Sequence, residues 1–476
     1  MRKLAVILGL ILCFFLQFHP PVGYVAPKIT WVVTTQAKPW RRMDPTASAA
    51  AKGRKSTIII DTKTLYQKID GFGGCFNEKG WVALSVLTPA KRDEVLKALF
   101  DPAEGAGLNI CRVPIGASDY AVNRYTLNEV KDDYQMKHFS IKRDKDFLIP
   151  YIKAALKFRP DLRVWGSAWT PPTWMKTNGH YDGGSMKDDP KIYDAYALYL
   201  ARFLESYQKE GINAYAVCVQ NEPDIARHYP TCLWTEKQFL TFIKDHLGPF
   251  FKERCVRGEI WLGTMDDGDF RKYPYTVLND KTANSYVTTV GYQWGGLNSV
   301  ALTRKYYPAK RIMQTETECG NWYWRDGFDP DKPQNDWNYG VYTWNKVKDY
   351  FEKGVNSYML WNMVLDREGK SIDSMSPWPQ NAAVVVDTKT KAAIYTPMYY
   401  AFKHFSHFVK PSAHLIRVKA SGVLNDVVAF KNPDGKVVLV MQNPSIGNIK
   451  LKIKLENKDY ALTLPPQSWS TLVLTQ

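Results

Sequence analysis

The sequence predicts an α/β protein in which a (β/α)8 TIM barrel is joined to a side antiparallel β-sandwich domain formed from both chain ends. From Ile69 to Trp361, eight short apolar runs alternate with helical segments or loops, a rhythm typical of parallel βα units. After Phe408, short apolar runs follow one another across turns such as Asn432-Pro-Asp-Gly435, which is typical of a sandwich. A doubly wound sheet is the main alternative, although no Gly-rich phosphate loop opens a helix here.

The barrel strands are predicted from the apolar runs. The first is crowded with glycine, which implies that another backbone passes close to it. The run that begins at Tyr215 should end at Pro223, because proline donates no hydrogen bond to a sheet. The other seven predicted strands are Ile69–Gly74, Leu108–Pro114, Leu162–Trp169, Glu259–Thr264, Val287–Trp294, Arg311–Glu316 and Asn356–Trp361.

Helices are predicted between these strands from apolar spacing and from capping residues. Thr88 followed by Pro89 is a typical helix start, with threonine as the N-cap and proline at the first helical position. The predicted helices are Thr88–Phe100, Asp146–Phe158, Asp189–Gln208, Thr235–Lys252 and Gly340–Phe351.

The sandwich is predicted to need strands from both ends of the chain, because neither end alone has enough strands to bury a face. The expected organisation is a signal peptide over residues 1–24, N-terminal sandwich strands over 25–68, the barrel over 69–408 and the C-terminal sandwich over 409–476. The predicted sandwich strands are Ile29–Val33, Thr57–Asp61, His414–Val418, Val427–Phe430, Lys436–Met441, Ile449–Lys454 and Thr471–Leu474.

The N-terminus predicts export. Arg2 and Lys3 precede the apolar run Leu4–Leu16, a signal-peptide pattern that is short for a membrane span. We therefore expect a secreted, periplasmic or cell-surface protein with no stable membrane span after signal removal, and an uncleaved anchor is the alternative. The cysteines are scattered without a CxxC pair, so we expect neither a disulfide framework nor a zinc site. No His, Asp or Glu spacing indicates a metal-dependent hydrolase, and we expect no metal and no cofactor.

The net charge of +16 is not explained by any long basic block, and nothing resembles a nucleic-acid-binding module. From Lys403 to Gln476 the chain has ten Lys and Arg residues against four Asp and Glu residues. Such a basic segment favours either an anionic surface or a polysaccharide, and a merely solvated face is the alternative.

Two carboxylates follow predicted barrel strands, at the end of a barrel where catalytic groups collect. Glu222 comes after the run that begins at Tyr215, although a carboxylate there could also cap a turn. Glu316 and Glu318 close the seventh strand on one face, because strand side chains alternate. Glu316 is preferred, since it ends the apolar run and Glu318 leads into a turn. Most glycoside hydrolases use a pair of carboxylates that flank the scissile bond. The alternative for Gln314 to Glu318 is a polar, solvated strand end without a catalytic role.

Short motifs that extend from Ile69 to the C-terminus support this interpretation. They are Asp70–Gly74, Asn109–Pro114, Ala117–Asp119, Trp169–Gly179, Gln220–Pro223, Gln314–Glu316, Trp361-Asn362, Asn381 and His404–Phe408. Together they resemble glycoside hydrolase family 30, which includes glucosylceramidases and β-1,6-glucanases. The resemblance implies a barrel with a side sandwich, and retaining hydrolysis of β-glycosides without a metal.

The resemblance also implies roles for individual residues. Glu222 matches the acid/base, and Glu316 matches the nucleophile. The positions that match the lining of the first sugar subsite are Arg112, Asp119, Trp169, Asn221, Trp361 and Asn381. Plain alternatives exist for three of them, because Arg112 could form a barrel ion pair, Trp361 could be core and Asp119 could cap a turn.

The sequence departs from the glucosylceramidases at two loops. Trp294, a further candidate substrate-binding residue, places an indole where a phenol is expected to contact the nucleophile. The segment after Glu222 reads Asp224-Ile-Ala-Arg-His228 instead of a short loop of small residues. The predicted partner is a carbohydrate, either a β-glucoside or a β-glucan. The alternatives are a non-catalytic carbohydrate-binding protein and a β-glycosidase for xylose, fucose or galactose.

Overall fold

The structure is a computed structural model that describes residues 29–45, 54–266, 268–317, 320–322 and 326–475. The predicted signal peptide lies outside these residues. The strands are β1 (Thr30–Thr35), β2 (Arg41–Met43), β3 (Arg54–Lys68), β4 (Gly71–Cys75), β5 (Ile110–Ile115), β6 (Arg163–Ala168), β7 (Ala214–Cys218), β8 (Glu259–Met265), β9 (Val287–Gln293), β10 (Arg311–Glu316), β11 (Ser357–Asn362), β12 (Val364–Asp366), β13 (Val384–Asp387), β14 (Ala392–Tyr395), β15 (His414–Gly422), β16 (Val427–Lys431), β17 (Val437–Asn443), β18 (Ile449–Leu455), β19 (Lys458–Leu464) and β20 (Ser468–Leu474).

The helices lie mainly between the barrel strands. The α-helices span Glu78–Ser85, Pro89–Phe100, Leu148–Leu156, Pro190–Lys209, Glu236–Thr241, Gly248–Glu253, Tyr273–Asn279, Lys281–Tyr286, Leu297–Tyr306, Trp337–Lys353 and Pro397–Ser406. The predicted start at Thr88 is confirmed, because its side chain accepts a hydrogen bond from the Lys91 amide. The predicted single helix Thr235–Lys252 is interrupted by a π-helical turn at Phe242–Leu247.

Strands β4 to β11 close into an eight-stranded parallel barrel in chain order, which confirms the predicted TIM barrel. Gly73 shows why the first strand needs glycine, since an added Cβ atom would lie 1.5 Å from the carbonyl oxygen of Ile110. A separate cluster of buried side chains fills the barrel interior: Ile110, Trp165, Ala216, Cys218, Trp261, Met313 and Met359.

The sandwich is built from one nine-stranded sheet in the order β19-β18-β3-β15-β16-β17-β20-β1-β2. Both chain ends supply strands, as predicted, although β18 pairs with β3 in parallel. The sandwich packs against the barrel through aromatic and polar contacts. Trp337 stacks on Trp469 with ring centroids 3.7 Å apart, and the buried His404 ring lies 2.9 Å from the hydroxyls of both Thr34 and Thr471.

Candidate active site

A cavity of about 420 Å³ lies among the loops that follow the barrel strands. Its position at the carboxyl ends of the strands is where TIM-barrel enzymes place their active sites. Seven of the nine predicted site residues line it: Asp119, Trp169, Asn221, Glu222, Trp294, Glu316 and Trp361. The sequence therefore identified seven of the sixteen residues that line this cavity.

Glu316 is the last residue of β10 and is buried, with 8% of its surface exposed. The Arg112 guanidinium donates to its Oε2 atom over 2.7 Å, and the Gln293 side-chain amide donates to the same atom over 3.1 Å. Charge-assisted hydrogen bonds of this kind stabilise a carboxylate in its ionised form. The geometry therefore presents Glu316 as an anion on a regular strand.

Arg112 lies behind the cavity wall and is fully buried, so it does not itself line the cavity as the resemblance implied. Besides Glu316, it donates to the Ser167 hydroxyl over 2.8 Å and to Asn221 Oδ1 over 2.5 Å. Its guanidinium also sits 4.3 Å from the ring centroid of Trp169. One buried cation thus positions a carboxylate, an amide and an indole.

Asn221 has its side-chain orientation fixed by its acceptor atom. Its Oδ1 accepts from Arg112, from the Thr264 hydroxyl over 2.8 Å and from Gln293 over 2.8 Å. The amide nitrogen then points the other way and lies 3.3 Å from Glu222 Oε2. Asn221 can therefore donate a hydrogen bond to a substrate hydroxyl between the two carboxylates.

Glu222 does not lie on a strand, which differs from the prediction that the strand continues to Pro223. Strand β7 ends at Cys218, and Glu222 has a left-handed backbone with φ +44°. Its amide donates to the Thr264 carbonyl over 2.9 Å, and the Asn221 amide donates to Ala168 over 2.7 Å. These bonds to neighbouring strand ends stabilise a backbone conformation that is uncommon for a residue other than glycine.

The electrostatic surroundings of Glu222 favour its protonated form. Burial raises the pKa of this carboxyl well above its ordinary value, and the nearby Glu316, Asp266 and Asp119 raise the pKa further by repulsion. Its described partners are neutral donors at longer distances, such as the Tyr229 hydroxyl at 3.4 Å. The two carboxyls of the cavity thus occupy environments that separate their protonation states.

Two tryptophans form an aromatic wall. The rings of Trp169 and Trp361 stack with centroids 5.2 Å apart, and Tyr120 meets Trp361 edge-on at 6.1 Å. Both indoles are nearly fully buried yet line the cavity. Trp361 thus combines the core and the site roles that the sequence had left as alternatives.

Asp119 lines the cavity next to this wall. Its Oδ1 atom is buried and has no hydrogen-bond partner in the part of the chain that the structure describes. Burial raises the pKa of this carboxyl well above its ordinary range, and the Glu316 charge adds to the increase. An orphaned buried oxygen that faces a cavity is suited to bonding a ligand hydroxyl.

Two predicted site residues have contacts that differ from the expected ones. Trp294 is half-buried at the cavity wall, but the described hydrogen bonds to the Glu316 carboxylate come from Arg112 and Gln293. Asn381 does not line the cavity, because its amide donates to the Gln334 carbonyl over 2.9 Å and its oxygen accepts from the Ala382 amide. Its neighbour Gln380 lines the cavity instead.

Glu318, the alternative to Glu316, lies outside the described residues. The sequence did not identify nine of the residues that line the cavity. Among the missed residues of the site, Gln293 and Tyr229 contact the two carboxyls. Gln293, whose amide bonds both Glu316 and Asn221, is a strand-end amide like Gln220 and could have been noticed for that reason. Tyr229 lies seven residues beyond Glu222 in a loop, and no periodic pattern indicates that its hydroxyl returns to that carboxyl.

The loop that contains Tyr229 is tied to its neighbours by Arg124. Its guanidinium forms a bidentate ion pair with Asp182, with distances of 2.8 and 3.0 Å from Nε. It also donates to the His228 carbonyl over 2.7 Å and to the Ile372 carbonyl over 3.3 Å. One side chain therefore connects the loops that follow β5, β6, β7 and β12.

Among the described residues, no group of three or more His, Cys, Asp and Glu side chains is arranged to hold a metal ion. Within the same residues, Cys75, Cys111, Cys218, Cys232 and Cys255 are free. None of the described helices is both long and apolar enough to cross a bilayer.

Comparisons with known proteins agree with this architecture. The model of the glycosyl hydrolase family 30 TIM-barrel domain matches residues 69–409, and that of the family's β-sandwich domain matches residues 414–472. The putative glucosylceramidase 1 of Caenorhabditis elegans is 32% identical over 444 residues, which cover 88% of this chain and 83% of the relative.

Other relatives represent two groups of enzymes. The lysosomal acid glucosylceramidase of Mus musculus is 28% identical, with coverage of 90% of this chain and 85% of the relative. The endo-1,6-beta-D-glucanase neg1 of Aspergillus fumigatus is 25% identical, with 90% of each chain covered. A solved endo-beta1,6-glucanase superposes with a TM-score of 0.82 at 23% identity, over 94% of this chain and 99% of its own.

Proposed function

The chain belongs to glycosyl hydrolase family 30, which makes it a retaining glycosidase of O-glycosyl bonds, and we propose that it cleaves β-glucosides by double displacement. The observation that supports this proposal best is the contrast between the two cavity carboxyls. Glu316 is paired with Arg112, whereas burial and neighbouring carboxylates raise the pKa of Glu222. A retaining mechanism requires one ionised and one protonated carboxyl at the same bond.

In the first step, Glu316 attacks the anomeric carbon while Glu222 transfers its proton to the departing glycosidic oxygen. The leaving group departs as an alcohol, and the sugar remains attached to Glu316 as an ester. In the second step, Glu222, now ionised, removes a proton from water, which attacks the same carbon and releases Glu316. Asn221 donates to the hydroxyl beside the reacting carbon, and Asp119 accepts from a hydroxyl farther along the ring.

The leaving-group side of the cavity favours a hydrophilic aglycone, and so a β-1,6-glucan over a glucosylceramide. Beyond Glu222 the cavity is lined by Arg227, His228, Asp373 and Gln380, with Trp378 as an aromatic surface. These polar side chains can bond sugar hydroxyls, whereas a lipid chain would leave them without partners. Export from the cytoplasm, suggested by the N-terminal sequence, would give access to such a polymer.

A substrate panel tests the proposal. Aryl β-glucoside, xyloside, fucoside and galactoside should be compared with β-1,6-glucan and glucosylceramide, with and without EDTA, which should not change the rates under the proposed mechanism. We expect the highest kcat/KM among aryl glycosides on the glucoside, and release of sugar from β-1,6-glucan with the β-anomer appearing first by NMR. A preference for another sugar would assign that sugar instead. Binding of glucan without release of sugar would support the non-catalytic alternative.

A further inference from the structure

One face of the sandwich sheet concentrates the basic residues of the C-terminal segment. Along β18, Ile449, Leu451, Ile453 and Leu455 point inward and belong to the buried cluster of the sandwich. The alternate residues of the same strand are therefore on the outer side of the sheet. They are Lys450, Lys452 and Lys454.

The strand register extends this row into an array, which we call the basic face and define as Lys55, Arg417, Lys419, Lys450, Lys452 and Lys454. Lys454 and Lys419 lie on either side of Ile59 on β3, and Lys450 lies opposite Lys55. Alternate residues of one strand are about 6.5 Å apart, and neighbouring strands are about 4.8 Å apart. The cationic side chains thus extend from one face of the sheet in rows.

Few carboxylates neutralise the basic face. Asp459 pairs with Lys452 over 2.9 Å, and Asp61 lies 3.8 Å from Arg417. Within the described ranges, no ion pair joins a carboxylate to Lys419, Lys450 or Lys454. Like charges at this spacing repel one another, so the array has an electrostatic cost unless a counter-charge is supplied from outside.

Protection of a sheet edge does not account for the lysines. Edge strands often have lysine to prevent pairing with other chains, but β18, β3 and β15 are all interior strands of this sheet. Lysine is also a poor strand former compared with threonine, which would make an outer face polar without charge. Their concentration on three adjacent interior strands therefore points to a ligand.

We propose that the basic face binds an anionic polysaccharide, of the chemical class of the polyuronates. A linear chain with a carboxylate on each sugar can lie along the lysine rows and form several ion pairs at once. A lipid bilayer fits less well, because one exposed aliphatic residue, Ile59, lies between the lysine rows, and the exposed Leu65 and Tyr66 lie beside Arg417 at the end of the array. This apolar surface is small for insertion into a bilayer. The inference does not depend on the substrate proposed for the barrel.

Such binding would hold the enzyme on a charged matrix while its cavity acts on neutral chains nearby. A surface tether of this kind raises the effective concentration of a second, weaker contact. The expected role of the sandwich is therefore to localise the enzyme, with no part in the chemical step. Hydrolysis of a small soluble substrate should not depend on it.

Affinity electrophoresis in native gels that contain polygalacturonate, with neutral dextran gels as reference, tests the proposal. The variant is Lys419→Gln/Lys450→Gln/Lys454→Gln. The matched control, Lys157→Gln/Lys237→Gln/Lys281→Gln, removes the same charge from exposed positions on the barrel. We expect retardation of the native protein that disappears at high salt, an apparent Kd at least about tenfold weaker in the sandwich variant, and little change in the control.

Hydrolysis of an aryl β-glycoside by all three proteins serves as the folding check, and unchanged kcat/KM in the sandwich variant is expected. If that variant loses activity, the single changes Lys450→Gln and Lys454→Gln replace it. Equal retardation of the sandwich variant and the barrel control would overturn the proposal, because binding would then follow net charge alone. Binding to anionic phospholipid vesicles without retardation by polygalacturonate would also overturn it.

Discussion

The two carboxyls that we propose as catalytic lie in regions that differ in backbone structure and in hydrogen-bond partners. Glu316 ends a regular strand, and a fully buried guanidinium and an amide donate to it. Glu222 lies beyond its strand with a left-handed backbone, and its described partners are neutral groups at 3.3 to 3.4 Å. Strand geometry and a cation suit a group that must stay charged. Desolvation with weak partners suits a group that must hold and release a proton.

The largest effect is expected at Glu316. Glu316→Gly should reduce kcat for every β-glycoside by roughly 10⁵-fold, because the attacking group is removed while binding remains. Azide should restore cleavage of an activated aryl glycoside, since the ion fits into the emptied space and attacks from the same side. The product should be the inverted α-glycosyl azide, identified by NMR.

The control for this prediction is the same substitution at the other carboxyl. Glu222→Gly with azide should give the retained β-glycosyl azide, because azide then attacks the glycosyl ester on Glu316. An α-product from the Glu222 variant and a β-product from the Glu316 variant would exchange the two assignments. Substantial residual activity of Glu316→Gly, without added azide, would reject its role as nucleophile.

Glu222→Gln should have an effect that depends on the leaving group. Substrates with poor leaving groups should lose about 10³-fold in kcat/KM, and activated aryl glycosides far less, because only the former need a proton in the transition state. Native activity on poor leaving groups should fall as pH rises through the raised pKa of Glu222, since the acid is then ionised. Measured pH profiles should lack this alkaline limb in the variant.

A third substitution tests the region around Glu316 from behind the cavity. Arg112→Lys keeps the positive charge but cannot contact Glu316, Ser167 and Asn221 at once, because an ammonium lacks the planar fork of a guanidinium. Loss of one or two charge-assisted hydrogen bonds corresponds to about 10²-fold in kcat/KM. The loss should be similar for good and poor leaving groups, which distinguishes it from the Glu222 variant. A leaving-group dependence would place Arg112 on the acid side.

The contrast between the two regions also explains what the sequence could predict. Residues on regular elements were found, since Glu316 ends an apolar run and Thr88 caps a helix that begins at Pro89. Glu222 was found as a residue, but the strand was predicted to continue to Pro223. Proline shows where a strand cannot continue, whereas the end at Cys218 depends on tertiary contacts. The spacing of apolar residues along the sequence does not indicate such contacts.

Residues that act through loops or from behind the wall were harder to place. Arg112 was expected either in the first sugar subsite or in a barrel ion pair, and the structure shows the ion pair, with Glu316 as the partner. The hydroxyl of Tyr229 reaches Glu222 through a loop whose path depends on other loops. The sheet of β12 to β14 was also missed, because its strands have only three or four residues, and β19 was missed because it begins with the charged pair Lys458-Asp459. Physical patterns predict elements more readily than the paths between them.

The smallest effect is expected for a substitution at Arg124, which tests how the loop next to Glu222 is positioned. Arg124 joins Asp182 to the carbonyls of His228 and Ile372, and His228 precedes Tyr229. Arg124→Lys should retain one ion pair and lose the simultaneous carbonyl contacts, so the loop that contacts Glu222 becomes less well positioned. We expect about a fivefold loss in kcat/KM on poor leaving groups, or about 1 kcal/mol, and almost none on activated aryl glycosides.

The alkaline limb of the Arg124→Lys variant should move to lower pH, because a looser loop admits water and reduces the desolvation that raises the pKa of Glu222. The matched change Arg202→Lys, at an exposed ion pair on the helix Pro190–Lys209, should alter neither quantity. A loss equal for all substrates, with an unmoved alkaline limb, would mean that Arg124 only stabilises the fold. A loss confined to substrates that need the acid would show that the loop held by Arg124 positions Glu222.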